Sequence, residues 1–265
     1  MAYIKEYWID KEKRAEQARK HTEQIEYMYH KEIRKSVRDT IYYYPAFECL
    51  KTITKENATQ IIVNDIDSVS AIFQYKKQNP DDKLAVLNFS SYKNPGGMFI
   101  KGSKAQEECL CHESFLYNVL SQKQDFYEWN SKHKNKALYL NRALYSPNIR
   151  FERDNLFSCL CDVITCAAPN KSAAQKYQNV SDEENTEVLK SRIKFVLDIA
   201  KDNHVDTLIL GAYGCGVFGQ NPTEVAEIFK ECLNTTHKNC FSKIVFAIPK
   251  GRDNNLQAFK KVFDK

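Results

Sequence analysis

A three-layer α/β/α fold, with a mixed, mostly parallel sheet and an N-terminal helical extension, is what the 265-residue sequence predicts. Three observations carry this. From Thr59 onward, short apolar runs alternate with stretches of helical spacing, the pattern of a sheet covered by helices on both faces. The first 45 or so residues read differently: rich in Lys, Arg, Glu and Tyr, with no glycine. Seven of the eight glycines fall in two later loops, each following a predicted strand.

Ala15, Ala18, Ile25 and Met28 fall roughly on one stripe, which predicts a helix over about 11–38 that Pro45 closes off. Packing on the main domain is the plainer use for such a helix, and an arm for a partner the other. TQIIVND (59–65) reads as a strand, SVSAIFQYKKQ (68–78) as a helix, KLAVLNFSS (83–91) as a strand, and about 105–120 as a helix. ALYLNRALYSPNIRFER (137–153) reads as extended with a turn at Ser146-Pro147-Asn148, and CLCDVITCAAP (159–169) as a strand. The helix 186–202 has Leu189, Ile193, Val196 and Ala200 at helical spacing. Strand 206–213, helix 222–233, strand 243–249 and a helix near 254–263 close the chain. Ligands of such sheets sit beyond the carboxyl ends of the strands.

Composition narrows the function. Apolar residues make up 43%, enough for a core. A net charge of +5 suits an anionic ligand and falls short of a nucleic-acid-binding signature. No apolar run reaches membrane-spanning length, and MAYIKEYWIDKEKRAEQ has no apolar signal region, so an intracellular, cytoplasmic protein is expected. The nine cysteines agree with a reducing compartment. Cys109 and Cys111 beside His112, and Cys159 with Cys161, are C-x-C pairs rather than the paired C-x2-4-C knuckles of zinc sites, so they are expected to pack as small hydrophobes.

The first glycine loop holds Gly96, Gly97 and Gly102; the second, GAYGCGVFG, holds Gly211, Gly214, Gly216 and Gly219. Two tight turns would explain glycine at either place. Two clusters at corresponding strand ends point to a cleft where backbone amides approach a phosphate. Gly214 to Gly219 spells G-x-G-x-x-G, but the next strand ends in Lys250 and Arg252 where a dinucleotide fold wants an acid. A diphosphate loop survives this test better than a nicotinamide dehydrogenase. Gln106-Glu107-Glu108 opens the predicted helix after the first loop, where carboxylates are favoured by the helix dipole in any case. Adjacent helical residues diverge by about 100°. One glutamate could therefore face the cleft as acid/base while its neighbour holds a hydroxyl, as glycosidic cleavage requires.

NFSSYKNPGG followed by AQEE, and then GAYGCGVFGQNP, resembles the microbial-type poly(ADP-ribose) glycohydrolases, which have a macrodomain fold. The resemblance spans about 59–250, and the N-terminal helical region is similar to that family's extension. It implies a division into a helical extension, 1–50, and a macrodomain-like catalytic domain, 51–265. It also implies that Glu108 is the catalytic acid/base, that Glu107 binds ribose hydroxyls at the scissile bond, and that Gln106 joins the substrate-binding set. Gly96 and Gly97 would lie against the terminal ribose and diphosphate. The backbone of Gly214, Cys215, Gly216 and Val217 would hold the diphosphate, with Phe218 on the ribose. Asn64-Asp65-Ile66-Asp67 is similar to the segment whose Asp reads the adenine amino group, which would make Asp65 that residue; an Asp after a strand is also commonly a turn or a cap. One departure stands out: the family loop usually carries a third glycine where this chain has Met98, whose side chain would crowd the distal ribose or redirect the loop.

The activity so implied is hydrolysis of the ribose–ribose O-glycosidic bond of poly(ADP-ribose), releasing ADP-ribose, with neither metal nor cofactor. Expected partners are that polymer or ADP-ribosylated macromolecules, not a membrane and not a specific nucleic-acid sequence. Hydrolysis of mono-ADP-ribosylated protein or nucleic acid, and a non-catalytic ADP-ribose-binding macrodomain, are the alternatives.

Overall fold

The computed structural model describes residues 10–153, 157–251 and 253–264. The segment read for a signal region, in part, and Arg252 lie outside the described residues. The elements run in the order α1 (Lys11–Asp39), β1 (Ile41–Tyr43), β2 (Gln60–Asn64), α2 (Ser68–Gln78) and β3 (Leu84–Phe89). After a 3-10 turn at Phe99–Lys101 come α3 (Gln106–His112), α4 (Leu116–Leu120), α5 (Gln124–Lys132), β4 (Ala143–Arg153) and β5 (Phe157–Cys166). The chain ends with α6 (Lys171–Gln178), α7 (Asp182–Asp202), β6 (Thr207–Leu210), α8 (Pro222–Asn234), β7 (Lys243–Ala247) and α9 (Asn255–Phe263).

The strands form one seven-stranded sheet in the order β1-β4-β5-β3-β6-β7-β2. The pairs from β5 through to β2 are parallel, while β4 runs antiparallel to both β5 and β1. Side chains alternate across a strand, so both faces must be covered. Ala85 and Leu87, Leu208 and Leu210, Ile244 and Phe246 pack on the face covered by α7, α8 and α9. Val86, Ile209 and Val245 pack on the opposite face, with Ile72 of α2, Leu110 of α3 and Leu116 of α4. These two cores produce the three layers the alternation predicts.

The N-terminal helix belongs to the second core. Asp10 caps it by accepting hydrogen bonds from Glu12 N and Lys13 N, at 2.8 and 3.4 Å. Ala18, Ile25 and Ile33 are buried against the body, whereas Met28 is exposed. Three residues on from Ile25 is about 300°, so Met28 sits roughly 60° off the buried stripe, and non-helical dihedrals at Tyr29 turn the helix further. Directly after this helix, Ile41–Tyr43 pairs with β4 and closes the sheet edge, a strand the sequence pattern did not announce.

Three other departures have local causes. The single helix expected over 105–120 is broken after His112. Ser114 forms an isolated bridge to Phe151, and its hydroxyl donates to Leu110 O and accepts from Leu116 N, at 2.6 and 3.0 Å. The expected turn at Ser146-Pro147-Asn148 is a bulge inside β4, where the register against β5 slips between Ser146 and Ile149. Asn148 N donates to Asp162 Oδ1 at 2.7 Å, supporting the bulge. The helices α5 and α6 were not foreseen, because their short, mixed sequences lack a sustained apolar stripe. Cys159 and Cys161 are both buried on β5, as small hydrophobes on alternate strand positions should be.

Candidate active site

The site is built where β3 hands over to α3. Gln106, the first residue of α3, reaches back over the strand end: its Oε1 accepts from Phe89 N at 2.8 Å, and its Nε2 donates to Leu87 O at 2.8 Å and Ser68 Oγ at 3.2 Å. All its amide atoms are thus spent on fixing the helix start against β3 and α2. This bracing leaves Glu107 and Glu108 in the first turn, both buried.

Each carboxylate is held by two donors. Glu107 Oε2 accepts from Ser91 N at 2.7 Å and its Oε1 from Asn88 Nδ2 at 3.2 Å. Glu108 Oε1 accepts from Met98 N at 2.9 Å and its Oε2 from Ala105 N at 2.8 Å. The second of these is half of a capping box, since Ala105 has no side-chain acceptor to return the bond. Both glutamates, rather than one of them, converge on Gly97. A Cβ placed there would lie 2.6 Å from Glu108 Oε1 and 2.9 Å from Glu107 Oε2, so the two oxygens are no farther apart than the sum of those distances. With φ at +61°, Gly97 also occupies the left-handed region. Gly96 is packed differently, with the Tyr117 ring and Cys111 Sγ behind it. Met98 takes an ordinary φ of −113°, so the backbone makes no demand for glycine there, and its side chain is 39% exposed.

Burial pushes Glu107 up to about 8; the bonds from Ser91 and Asn88 oppose that rise, and the charge of Glu108 adds to it. Between its ordinary value of 4.5 and about 8, folded Glu107 keeps a proton the unfolded chain has lost. Its contribution to stability is therefore full below pH 4.5 and is lost as pH rises towards 8. Glu107→Gln removes this loss. The variant is expected to gain on the parent steadily from pH 5 to pH 8, by on the order of a few kcal/mol at the upper end. Melting curves of the two proteins across that range check this, and parallel curves would contradict it.

The second loop follows β6, the direct neighbour of β3. Gly214 abuts Ala168 and Gln220, with 2.9 Å from its would-be Cβ to each side chain, and Gly219 packs on Ser172. Gly216 is different: nothing lies within 4 Å of a Cβ built there. Among the described residues, no acceptor is found for the N–H groups of Gly216, Val217 and Phe218. Three successive amides without an acceptor, at an open glycine, are the kind of donor that an anion cradle uses. Val217 is 91% exposed, and burial pushes the Cys215 thiol up to about 12. Phe218 stands edge-on to Tyr139, with ring centroids 6.1 Å apart, and Tyr139 stacks on Tyr92 at 4.1 Å.

A cavity of about 320 Å³ lies beside α3, at the carboxyl ends of β3 and β7. Phe89, Ala105, Gln106, Ala212, Ala247 and Pro249 contribute to its walls. Asp67 also lines it while capping α2 through Ser70 N at 2.9 Å. Asp65 does not line it; its Oδ1 accepts from Lys250 N at 2.6 Å and ties the end of β2 to the segment after β7. A larger hollow of about 820 Å³, around Lys83, Leu84 and Asp162, sits at the opposite end of β3 and contains none of the predicted site residues.

The family model described as microbial-type PARG, catalytic domain, matches residues 11–154, more than half of the chain. The chain belongs to this family. The match takes in α1, the first glycine loop, both glutamates and β4. Among solved structures, the poly(ADP-ribose) glycohydrolase (PARG) of Thermomonospora curvata is 29% identical with a TM-score of 0.87, over 94% of this chain and 99% of that one. The same enzyme from Deinococcus radiodurans, in complex with ADP-ribose, is 30% identical with a TM-score of 0.80, over 88% of this chain and 97% of that one. A further Thermomonospora structure carries the inhibitor ADP-HPD, at 28% identity and a TM-score of 0.83. No curated protein matches the chain significantly. Membership of a PARG family makes the chain a glycohydrolase-type enzyme.

Sequence reasoning missed the residues that hold the glutamates in place. Asn88 is the one polar residue of LAVLNF, a buried strand, and that is the signal that could have found it. Ser91 and Ala105 act through backbone N–H groups, which leave no mark on a sequence.

Proposed function

We propose that the chain hydrolyses the ribose–ribose O-glycosidic bond of poly(ADP-ribose) to release ADP-ribose, with Glu108 as the acid/base. The observation that carries this is the convergence of two buried carboxylates on Gly97, with the loop after the neighbouring strand offering three N–H groups that have no partner among the described residues. Glu108 protonates the departing ribose oxygen as the C–O bond breaks and an oxocarbenium-like centre forms. It then takes a proton from the attacking water, whose oxygen completes the new bond. Glu107 holds the adjoining ribose hydroxyls. The amides of Gly216, Val217 and Phe218 take the diphosphate, and the 320 Å³ cavity with its apolar walls suits the nucleoside end. The Deinococcus relative, whose structure holds ADP-ribose, supports this choice of ligand. The layered arrangement supports the macrodomain reading, and nine unpaired cysteines support a reducing, cytoplasmic setting.

The test is to incubate purified protein with poly(ADP-ribose) and, separately, with mono-ADP-ribosylated protein. Free ADP-ribose from the polymer is expected. Release only from the mono-modified protein would transfer the activity to the other substrate, and binding without release would make the chain a reader. The loop has its own check. Because the space around Gly216 is open, Gly216→Val fits the free protein and leaves melting unchanged. It is expected to weaken ADP-ribose binding at least about 100-fold by occupying the phosphate position. Calorimetry with unchanged affinity would remove the loop from the site.

A further inference from the structure

Arg192, on α7, is among the largest fully buried side chains, and no step above uses it. Its Nε donates to Asn141 Oδ1 at 2.7 Å, and its guanidinium NH groups donate to the carbonyls of Ala167 and Leu138. Among the described residues it forms no ion pair. A buried cation held by neutral acceptors alone is costly, because carbonyl dipoles replace only part of its lost hydration and bring no counter-charge. Its location is informative. Ala167 packs with Tyr92, Tyr139 and Phe218, and the next residue, Ala168, abuts Gly214. Burial pushes the hydroxyls of Tyr92, Tyr139 and Tyr213 above their ordinary range, and the Arg192 charge works against that push in all three. Its field thus reaches the aromatic wall behind Phe218 and the residue just before Gly214.

We propose that Arg192 is a positioning residue for the substrate diphosphate: an unpaired positive charge behind the second loop that is compensated when the diphosphate occupies the free amides. This rests on the reading of that loop as the diphosphate site. In a low-dielectric interior such a charge acts over a longer range than at a surface, where salt screens it. The loop amides supply geometry and Arg192 supplies net charge.

Asn141→Asp tests this in place. It keeps the shape of the side chain and puts a carboxylate on the atom that already accepts from Arg192 Nε. The variant loses the bond that Asn141 Nδ2 donates to Ser191 Oγ, which the Ser191 hydroxyl restores by donating to the new carboxylate, so it should melt close to the parent. Its affinity for ADP-ribose, by calorimetry, should fall about tenfold, on the order of 1.4 kcal/mol, while its affinity for adenosine stays unchanged. Arg192→Gln should show the same split wherever it folds. If Asn141→Asp binds ADP-ribose as tightly as the parent, or loses adenosine and ADP-ribose equally, Arg192 is a brace between segments and the inference is wrong. If the parent itself binds no ADP-ribose, the reading of the site fails first and this one with it.

Discussion

Glu108→Gln is expected to lose at least about 100-fold in rate on poly(ADP-ribose), since general acid–base catalysis commonly contributes about 10²–10⁴-fold. Glutamine keeps the size of the side chain but can neither give nor take the proton. Its affinity for ADP-ribose should stay within several-fold, because the amides of the second loop are untouched. The structure adds a stability cost. Glu108 accepts from Met98 N and from Ala105 N through its two oxygens. Glutamine offers one oxygen and an NH2 group, so one part-buried backbone donor loses its partner, at a cost of about 1 kcal/mol. Melting curves must accompany the kinetics so that unfolding is not mistaken for lost chemistry. A folded variant that cleaves the polymer at the parent rate would overturn the mechanism.

Gly97→Ala should cost a comparable amount of rate through geometry alone. The added methyl meets both carboxylates below 3.0 Å, at a backbone with φ of +61°. Free side-chain ends could swing aside cheaply, but each of these is pinned by two hydrogen bonds and must break them to move. Misplacing reacting groups by about 1 Å can cost 10²-fold, and the left-handed backbone adds about 1–2 kcal/mol of strain. The expected result is turnover reduced about 100-fold or more, in a protein that still folds and still binds ADP-ribose through the second loop. A folded Gly97→Ala protein with parental turnover would show that convergence on this glycine does not set the rate.

Much of the fold was legible because it rests on short-range pattern. Helix 68–78 and the strands in LAVLNF and KIVFA were readable from periodicity, since a buried strand or an amphipathic helix writes its period into adjacent residues. The two glycine loops were legible for a related reason: a chain with eight glycines that puts seven in two places marks where backbone must be approached closely. NFSSYKNPGG, AQEE and GAYGCGVFGQNP together carried the resemblance to the family before any coordinate did.

What only the tertiary structure decided depends on residues distant in the chain. The break at Ser114 comes from Phe151, and β1 exists because β4 offers an edge, which no window of sequence contains. Asp65 and Asp67 look interchangeable in NDID, yet Lys250 N claims the first and the turn into α2 claims the second. Gln106 reads as part of a ligand motif; its amide braces the helix it starts while the residue also lines the 320 Å³ cavity. The role of Gly97 lies in the carboxylates that fill the space of its missing side chain, and among the described residues α7 buries Arg192 with no counter-ion, which no pattern in its own helix announces. Local periodicity records which face of an element is apolar. It does not record which atoms from elsewhere will meet that element, because contacts between distant segments are selected by packing and hydrogen bonding in three dimensions.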